Sequence, residues 1–220
     1  MNPSRTARDR ARIELTRKIK DEARRQLATG GAAAISLRAV TRSLDVVSSA
    51  IYRYFPSRDD LLTALIIDAY DAMGEAAERA DTDKDPRARW QAVCRAIRAW
   101  ALENRHEYAL IYGSPVPGYE APADTVAPAV RVPLLLTSIA KAAKVQDGTL
   151  GHGLRSQLEN VVASTSIELP PGALARVIVA WTQLFGMISF ELFGQLVGSV
   201  DPADDFFDFS TAALADYVGL

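Results

Sequence analysis

Apolar residues recur through the N-terminal part of the chain at helical rather than strand intervals. Leu15, Ile19, Ala23 and Leu27 stand four apart among Arg17, Lys18, Lys20, Arg24 and Arg25. A helix there carries one apolar stripe on an otherwise basic surface, and Gly30-Gly31 ends it. Ser36 then precedes Leu37, Val40 and Leu44, the spacing of a short second helix with Ser36 as N-cap and Arg38, Thr41 and Arg42 on its outer side. After a turn at Asp45-Val46-Val47, Ser48 or Ser49 can cap a third helix running to about Phe55, where Pro56 discourages continuation. Ala50, Ile51 and Phe55 give this helix a small apolar face able to pack on Leu37, Val40 and Leu44. The opposite face is Ser48, Ser49, Tyr52 and Arg53, with Tyr54 at its edge.

Ser57 and Asp60 form a capping box, and acids sit in the first turn that follows, where the helix dipole favours them. A long fourth helix is expected from Arg58 through Leu61, Leu65 and Ala69 to about Ala80. Pro86 opens a fifth, with Trp90, Val93, Ile97 and Trp100 roughly on one face to about Asn104, and a short sixth spans about Glu107 to Tyr112. Residues 113–133 hold five of the eleven prolines and read as a long loop, of the kind that is often functional. Helices resume over about 132–144, 154–162, 171–197 and from Asp201-Pro202 to about Val218. No β-branched alternation is sustained anywhere, so the expected fold is all-α: an N-terminal three-helix helix-turn-helix head over residues 1–60 and a larger helical body over 61–220.

Charge sharpens that division. Residues 1–60 carry 13 Lys/Arg against 7 Asp/Glu, whereas the remaining 160 residues carry 12 against 20, so a net charge of -2 conceals a basic head and an acidic body. Such a split suits a head that meets a polyanion. Enzyme chemistry finds little support. Cys94 is the one cysteine, and His106 and His152 are the two histidines, without CxxC or HxxxH spacing, so no metal and no cofactor is expected. Gly148, Gly151 and Gly153 do not form a phosphate loop after a strand, and Asp204-Asp205 has a simpler role at a helix N-terminus. The charged N-terminus lacks the apolar core of a signal peptide, and the apolar run 177–190 is short of the roughly 20 residues that span a bilayer. A cytoplasmic protein with no membrane contact is expected.

Two short helices joined by a tight turn place the second in the DNA major groove. Its Ser and Tyr hydroxyls can bond phosphates or base edges, Arg53 can fork onto guanine, and a tyrosine ring can touch a thymine methyl. The span from about Ile19 to Leu65 resembles the DNA-binding region of the TetR/AcrR family of transcriptional regulators. A basic first helix, "GG" before "ISLRAV", and "IYRYFPSRDDLL" carry the resemblance. The chain departs from the family pattern at Asp45, where glycine is common, at Val47, where a serine N-cap is common, and at Tyr54, often His. The resemblance implies that Tyr52 and Tyr54 meet phosphates or bases, that Ser48 and Ser49 face base edges, that Arg38, Thr41 and Arg42 flank the groove, and that Arg58 lies beside the DNA backbone.

The runs "HEYALIYGSPVPGYEAP" and "AWTQLFGMISFELFG" are similar to the C-terminal domain of the WHG-type TetR subgroup, with Phe185 before Gly186 where His often stands. The resemblance implies a homodimer through the last two helices, whose crowded apolar and aromatic positions agree with it. It also implies repression, with a palindromic operator on double-stranded DNA expected from two-fold pairing, and a body much larger than a DNA head requires leads to the expectation that a small apolar effector relieves it. Trp100, Tyr108, Tyr112, Tyr119, Trp181 and Phe185 are the candidates to line its site. The competing reading is a ligand-independent or architectural DNA-binding protein.

Overall fold

A computed structural model describes residues 3–165 and 167–220, and the side chains among these other than those of residues 3–7, 48 and 49. It is helical throughout, with no strand among the described residues. The elements are α1 (Pro3–Gly30), α2 (Leu37–Leu44), α3 (Ser48–Ile51), α4 (Arg58–Ala80), α5 (Pro86–Glu103), α6 (Arg105–Tyr112), α7 (Val126–Ala129), α8 (Arg131–Ala142), α9 (His152–Ser164), α10 (Pro171–Leu192) and α11 (Asp204–Val218), with 3-10 turns at Ala32–Ala34 and Ala123–Thr125. They form two compact units. One holds residues 1–70 and 104–126, the other 71–103 and 127–220, so α4 contributes to both.

In the first unit, the stripe Ile19, Ala23 and Leu27 of α1 buries against Leu37 and Val40 of α2, Ile51 of α3, Phe55, and Leu61, Leu62 and Leu65 of α4. Chain order does not limit this core. Leu110 and Ile111 of α6, with Val116 and Tyr119 of the proline-rich segment, pack on it although the chain leaves this unit between Tyr70 and Asn104. Tyr119 and Thr63 share a hydroxyl–hydroxyl bond of 2.9 Å, and the Tyr70 hydroxyl donates to the Ile111 carbonyl at 3.4 Å. Charge ties the same elements together. Arg24 of α1 donates to Asp68 of α4 at 2.7 Å and to Glu107 of α6 at 2.9 Å, while Lys20 takes the other oxygen of Asp68 at 2.8 Å.

The second unit is built around α10, which packs on α5, α8, α9 and α11. At 22 residues and with its hydropathy, α10 has the length to cross a bilayer. It instead buries Val177, Leu184, Phe185 and Ile188 within this unit. Trp90 of α5 is fully buried and donates its indole N–H to the Thr211 carbonyl of α11 at 3.2 Å. Arg98 grips both carboxylate oxygens of Glu191 at 2.7 Å, reaches Asp204 at 3.0 Å and lies 5.0 Å over the Phe207 ring, which joins α5 to α10 and α11. Asp147 accepts from the amides of Gly148 and Gly172 and from Arg155, contacts that hold its carboxyl below the usual range and anchor the start of α10. Cys94 is buried, and desolvation pushes its thiol up, away from nucleophilic or ligand chemistry.

Expected elements also change length. The proline-rich stretch is broken by a 3-10 turn and by α7, so it is not one long loop. α10 ends at Leu192 instead of Val197, because Gly194 and Gly198 adopt φ of 77° and 80° in the turns beyond it. These glycines serve a turn that other residues would strain.

Candidate nucleic-acid interface

Local chemistry sets the frame of the head. Ser36 caps α2, its hydroxyl accepting from the Ala39 amide at 3.4 Å, and its own amide donates to the Gln26 side chain at 3.0 Å. α2 ends in a left-handed Asp45 (φ 51°, ψ 41°), the conformation that glycine would adopt most easily and that Asp tolerates better than most residues. Val47, not Ser48 or Ser49, is the N-cap of α3, and its apolar side chain makes no capping bond. Regular α-helix lasts only to Ile51. Tyr52 to Tyr54 continue as turns, held by Tyr54 and Phe55 amides that both donate to the Ile51 carbonyl at 2.9 and 3.0 Å. Ser57 and Asp60 bond reciprocally, Ser57 N to Asp60 Oδ2 at 2.9 Å and Asp60 N to Ser57 Oγ at 3.1 Å, which starts α4 as the capping box requires.

On this frame Arg38, Arg42, Tyr52 and Arg53 are exposed. None of the three arginines forms an ion pair among the described residues, whereas Arg17, Arg24 and Arg25 of α1 all do. Cations without an internal partner beside a half-exposed phenol can neutralise phosphates and probe base edges. Tyr54 is partly buried against the head core. Thr41 does not lie on the outer side of α2. It is only 4% exposed and its hydroxyl donates to the Arg38 carbonyl at 2.8 Å, because Leu37, Val40, Thr41 and Leu44 form the inward face of so short a helix. The side chains of Ser48 and Ser49 lie outside the described residues. Arg58 is one-third exposed and donates to two backbone carbonyls, Ile35 at 3.1 Å and Ala32 at 2.8 Å.

The aromatic candidates divide between the two units. Tyr108 and Tyr112 of α6 meet in the first, with ring centroids 5.2 Å apart, and Tyr70, which sequence reasoning missed, closes edge-on to Tyr112 at 6.0 Å. Burial first, then the neighbouring phenols, push the Tyr112 hydroxyl up. Tyr119 belongs to the same unit. In the second unit Trp181 and Phe185 of α10 meet edge-on at 6.3 Å, and Trp100 is buried on α5. The Trp181 indole nitrogen is shielded from solvent and has no hydrogen-bond partner among the described residues.

A capped short helix, a tight turn, a second short helix and a cationic outer face define a helix-turn-helix DNA-binding protein. Comparison with known proteins agrees over nearly the whole chain. Residues 19–65 match the model of bacterial regulatory proteins of the tetR family, and residues 90–214 match a tetracyclin repressor-like C-terminal domain. The HTH-type transcriptional regulator Rv1816 of Mycobacterium tuberculosis (strain ATCC 25618 / H37Rv) is 39% identical over 198 residues, covering 84% of this chain and 83% of its own. Mb1846 of Mycobacterium bovis, also an HTH-type transcriptional regulator, matches equally. Among solved structures, the putative regulatory protein SCO4313 superposes with a TM-score of 0.82 at 33% identity over 94% of this chain and 98% of that one. The TetR family regulator PfmR from Thermus thermophilus, at 19% identity and a TM-score of 0.57 over 91% and 96%, shares the fold. The chain belongs to the TetR family: it is a DNA-binding transcriptional regulator and not an enzyme.

Proposed function

We propose that the protein acts as a homodimeric repressor that binds a palindromic operator through residues 1–60 and is released by a small apolar effector held by residues 61–220. The observation that carries the DNA-binding part is the set of exposed cations Arg38, Arg42 and Arg53 around the turn, which form no ion pair among the described residues. Pairing through the last two helices is supported by a second apolar face on them. On α10 Val179 and Phe190 are 41% and 56% exposed, with Gly186 between them, and on α11 Phe209 and Tyr217 are 73% and 50% exposed. A Cβ at Gly186 would meet nothing within 4 Å among the described residues, although glycine inside a helix costs roughly 0.5–1 kcal/mol relative to alanine. Close approach of a second copy gives that glycine a purpose. An isologous contact supplies the two-fold axis that a palindrome needs.

The effector reading rests on aromatic clusters in both units and on the orphan indole N–H of Trp181, which an acceptor on an otherwise apolar molecule would satisfy. Apolar compounds bearing a carbonyl or ether should be titrated against the complex with its selected operator, followed by fluorescence anisotropy. An effector is expected to weaken DNA binding by about 5- to 150-fold, and bound DNA to weaken effector binding by the same factor. DNA affinity that no such compound alters would favour ligand-independent binding.

Base reading and phosphate binding separate in a mutational test. Tyr52→Ala should lose roughly 1–3 kcal/mol of discrimination at one operator position and leave the salt dependence intact. Arg42→Ala should instead weaken all sequences alike and reduce the slope of log K against log salt by about 0.9. Unchanged binding in both variants would place the interface elsewhere on the head.

A further inference from the structure

Arg58 stands at the first position of α4, where a cation beside the DNA backbone is the simple expectation. Its surroundings give it other work. The Nε and Nη2 hydrogens donate to the carbonyls of Ile35 and Ala32, and Nη1 lies 3.6 Å from Asp59 Oδ1. The side edge of a guanidinium, with its two parallel N–H bonds, can grip an oxyanion bidentately, and here backbone oxygens engage that edge instead. A phosphate approaching the remaining edge would also meet the carboxylate of Asp59.

The two carbonyls belong to the connection between α1 and α2. It runs through Gly31 at φ 68°, the 3-10 turn Ala32–Ala34, and Ile35, which is 2% exposed and locked into the head core, to the N-cap Ser36. Within this connection Ile35 N donates to Ala32 O at 3.3 Å, and the Ser36 amide is taken by Gln26. Arg58 therefore braces the start of α4 against the residue before the cap of α2. It fixes the end of the helix that presents Arg38 and Arg42.

We propose that Arg58 is a positioning residue for DNA binding: it aligns α2 through the Ala32 and Ile35 carbonyls and does not itself neutralise a phosphate. The proposal rests on the DNA-binding role of the head. A lysine keeps the charge but loses the planar fork, so charge and bracing can be separated.

The experiment uses full-length protein, the DNA duplex that the wild type selects, and the variants Arg58→Lys and Arg58→Gln, with Arg38→Gln as the control for a phosphate contact. Both Arg58 variants are expected to bind roughly tenfold more weakly than wild type, as loss of charge-assisted hydrogen bonds implies, with the wild-type salt slope, whereas Arg38→Gln lowers the slope by about 0.9. Without DNA, amide hydrogen exchange over residues 32–40 is expected to accelerate in both Arg58 variants while α4 stays protected. Arg58→Lys binding like wild type, or a lowered salt slope in Arg58→Gln, would overturn the proposal, as would unchanged exchange over residues 32–40. Should Arg58→Gln fail to fold, the lysine variant carries both readouts. If the wild type selects no DNA at all, the DNA-binding reading fails by itself, and the exchange measurement still reports whether Arg58 braces α2.

Discussion

Phe190→Arg is expected to convert the proposed dimer into folded monomers at micromolar concentration, seen by sedimentation or light scattering, and to cost operator affinity about 10²- to 10⁴-fold. Phe190 is 56% exposed on the same side of α10 as Val179 and Gly186, so an arginine there leaves the body of its own chain intact. Circular dichroism and the melting temperature of the monomer should show this. At the proposed interface the guanidinium would be desolvated against its symmetry mate, two like charges without a partner. The loss in DNA binding follows from connectivity alone. Once two heads are joined, the second binds its half-site at an effective concentration set by the first, and separating them removes that gain of about 10² to 10⁴ without touching either head. A variant that stays dimeric with unchanged affinity would move the interface away from α10.

Trp90→Ala should cause the largest loss of stability, about 3–5 kcal/mol, which at roughly 2–4 °C per kcal/mol lowers the melting temperature by roughly 6–20 °C. The indole is fully buried between the apolar positions of α5 and the carbonyl of Thr211 on α11, so truncation both opens a cavity and strips a buried acceptor of its donor. Trp90→Phe separates these effects. It keeps most of the volume and should lose chiefly the hydrogen bond, roughly 1–3 kcal/mol if the Thr211 carbonyl remains dry. Equal losses in the two variants, by thermal or urea unfolding, would show that packing at Trp90 contributes little.

What is legible in the chain is local. The Ser36 cap, the Ser57–Asp60 box and the bounds of α4 follow from side chains that bond their own neighbours, and the structure contains each of them. The stripe Leu15, Ile19, Ala23 and Leu27 likewise turns to the core, since a helix with one apolar face has one way to bury it. Thr41 misleads because its hydroxyl suggests the outer side while its position does not. At i+4 from Leu37 it lies on the inward face, and its polar group is satisfied by the Arg38 carbonyl one turn back. The third helix is shorter than its sequence suggests: Tyr52, Arg53 and Tyr54 are compatible with helix, yet they continue as turns, with Phe55 buried in the head core just before Pro56.

Contacts distant in sequence leave no local trace. Nothing around Val116 or Tyr119 announces that they return to the head core, and nothing in "PSRDD" tells whether Arg58 reaches outward or back to Ala32 and Ile35. The ligand candidates rest on residue type, so they fall in two compact units. Tyr70, midway along α4, escapes such a choice.

Selection of duplexes from a random-sequence pool by the purified full-length protein tests the central claim most directly, with sequencing of the bound fraction at two salt concentrations. An enriched inverted repeat is expected, with half-sites centred about one helical turn apart, roughly 34 Å, and with affinity falling steeply as salt rises. Recovery of the pool without sequence enrichment, or of a single half-site without its mirror image, would contradict it.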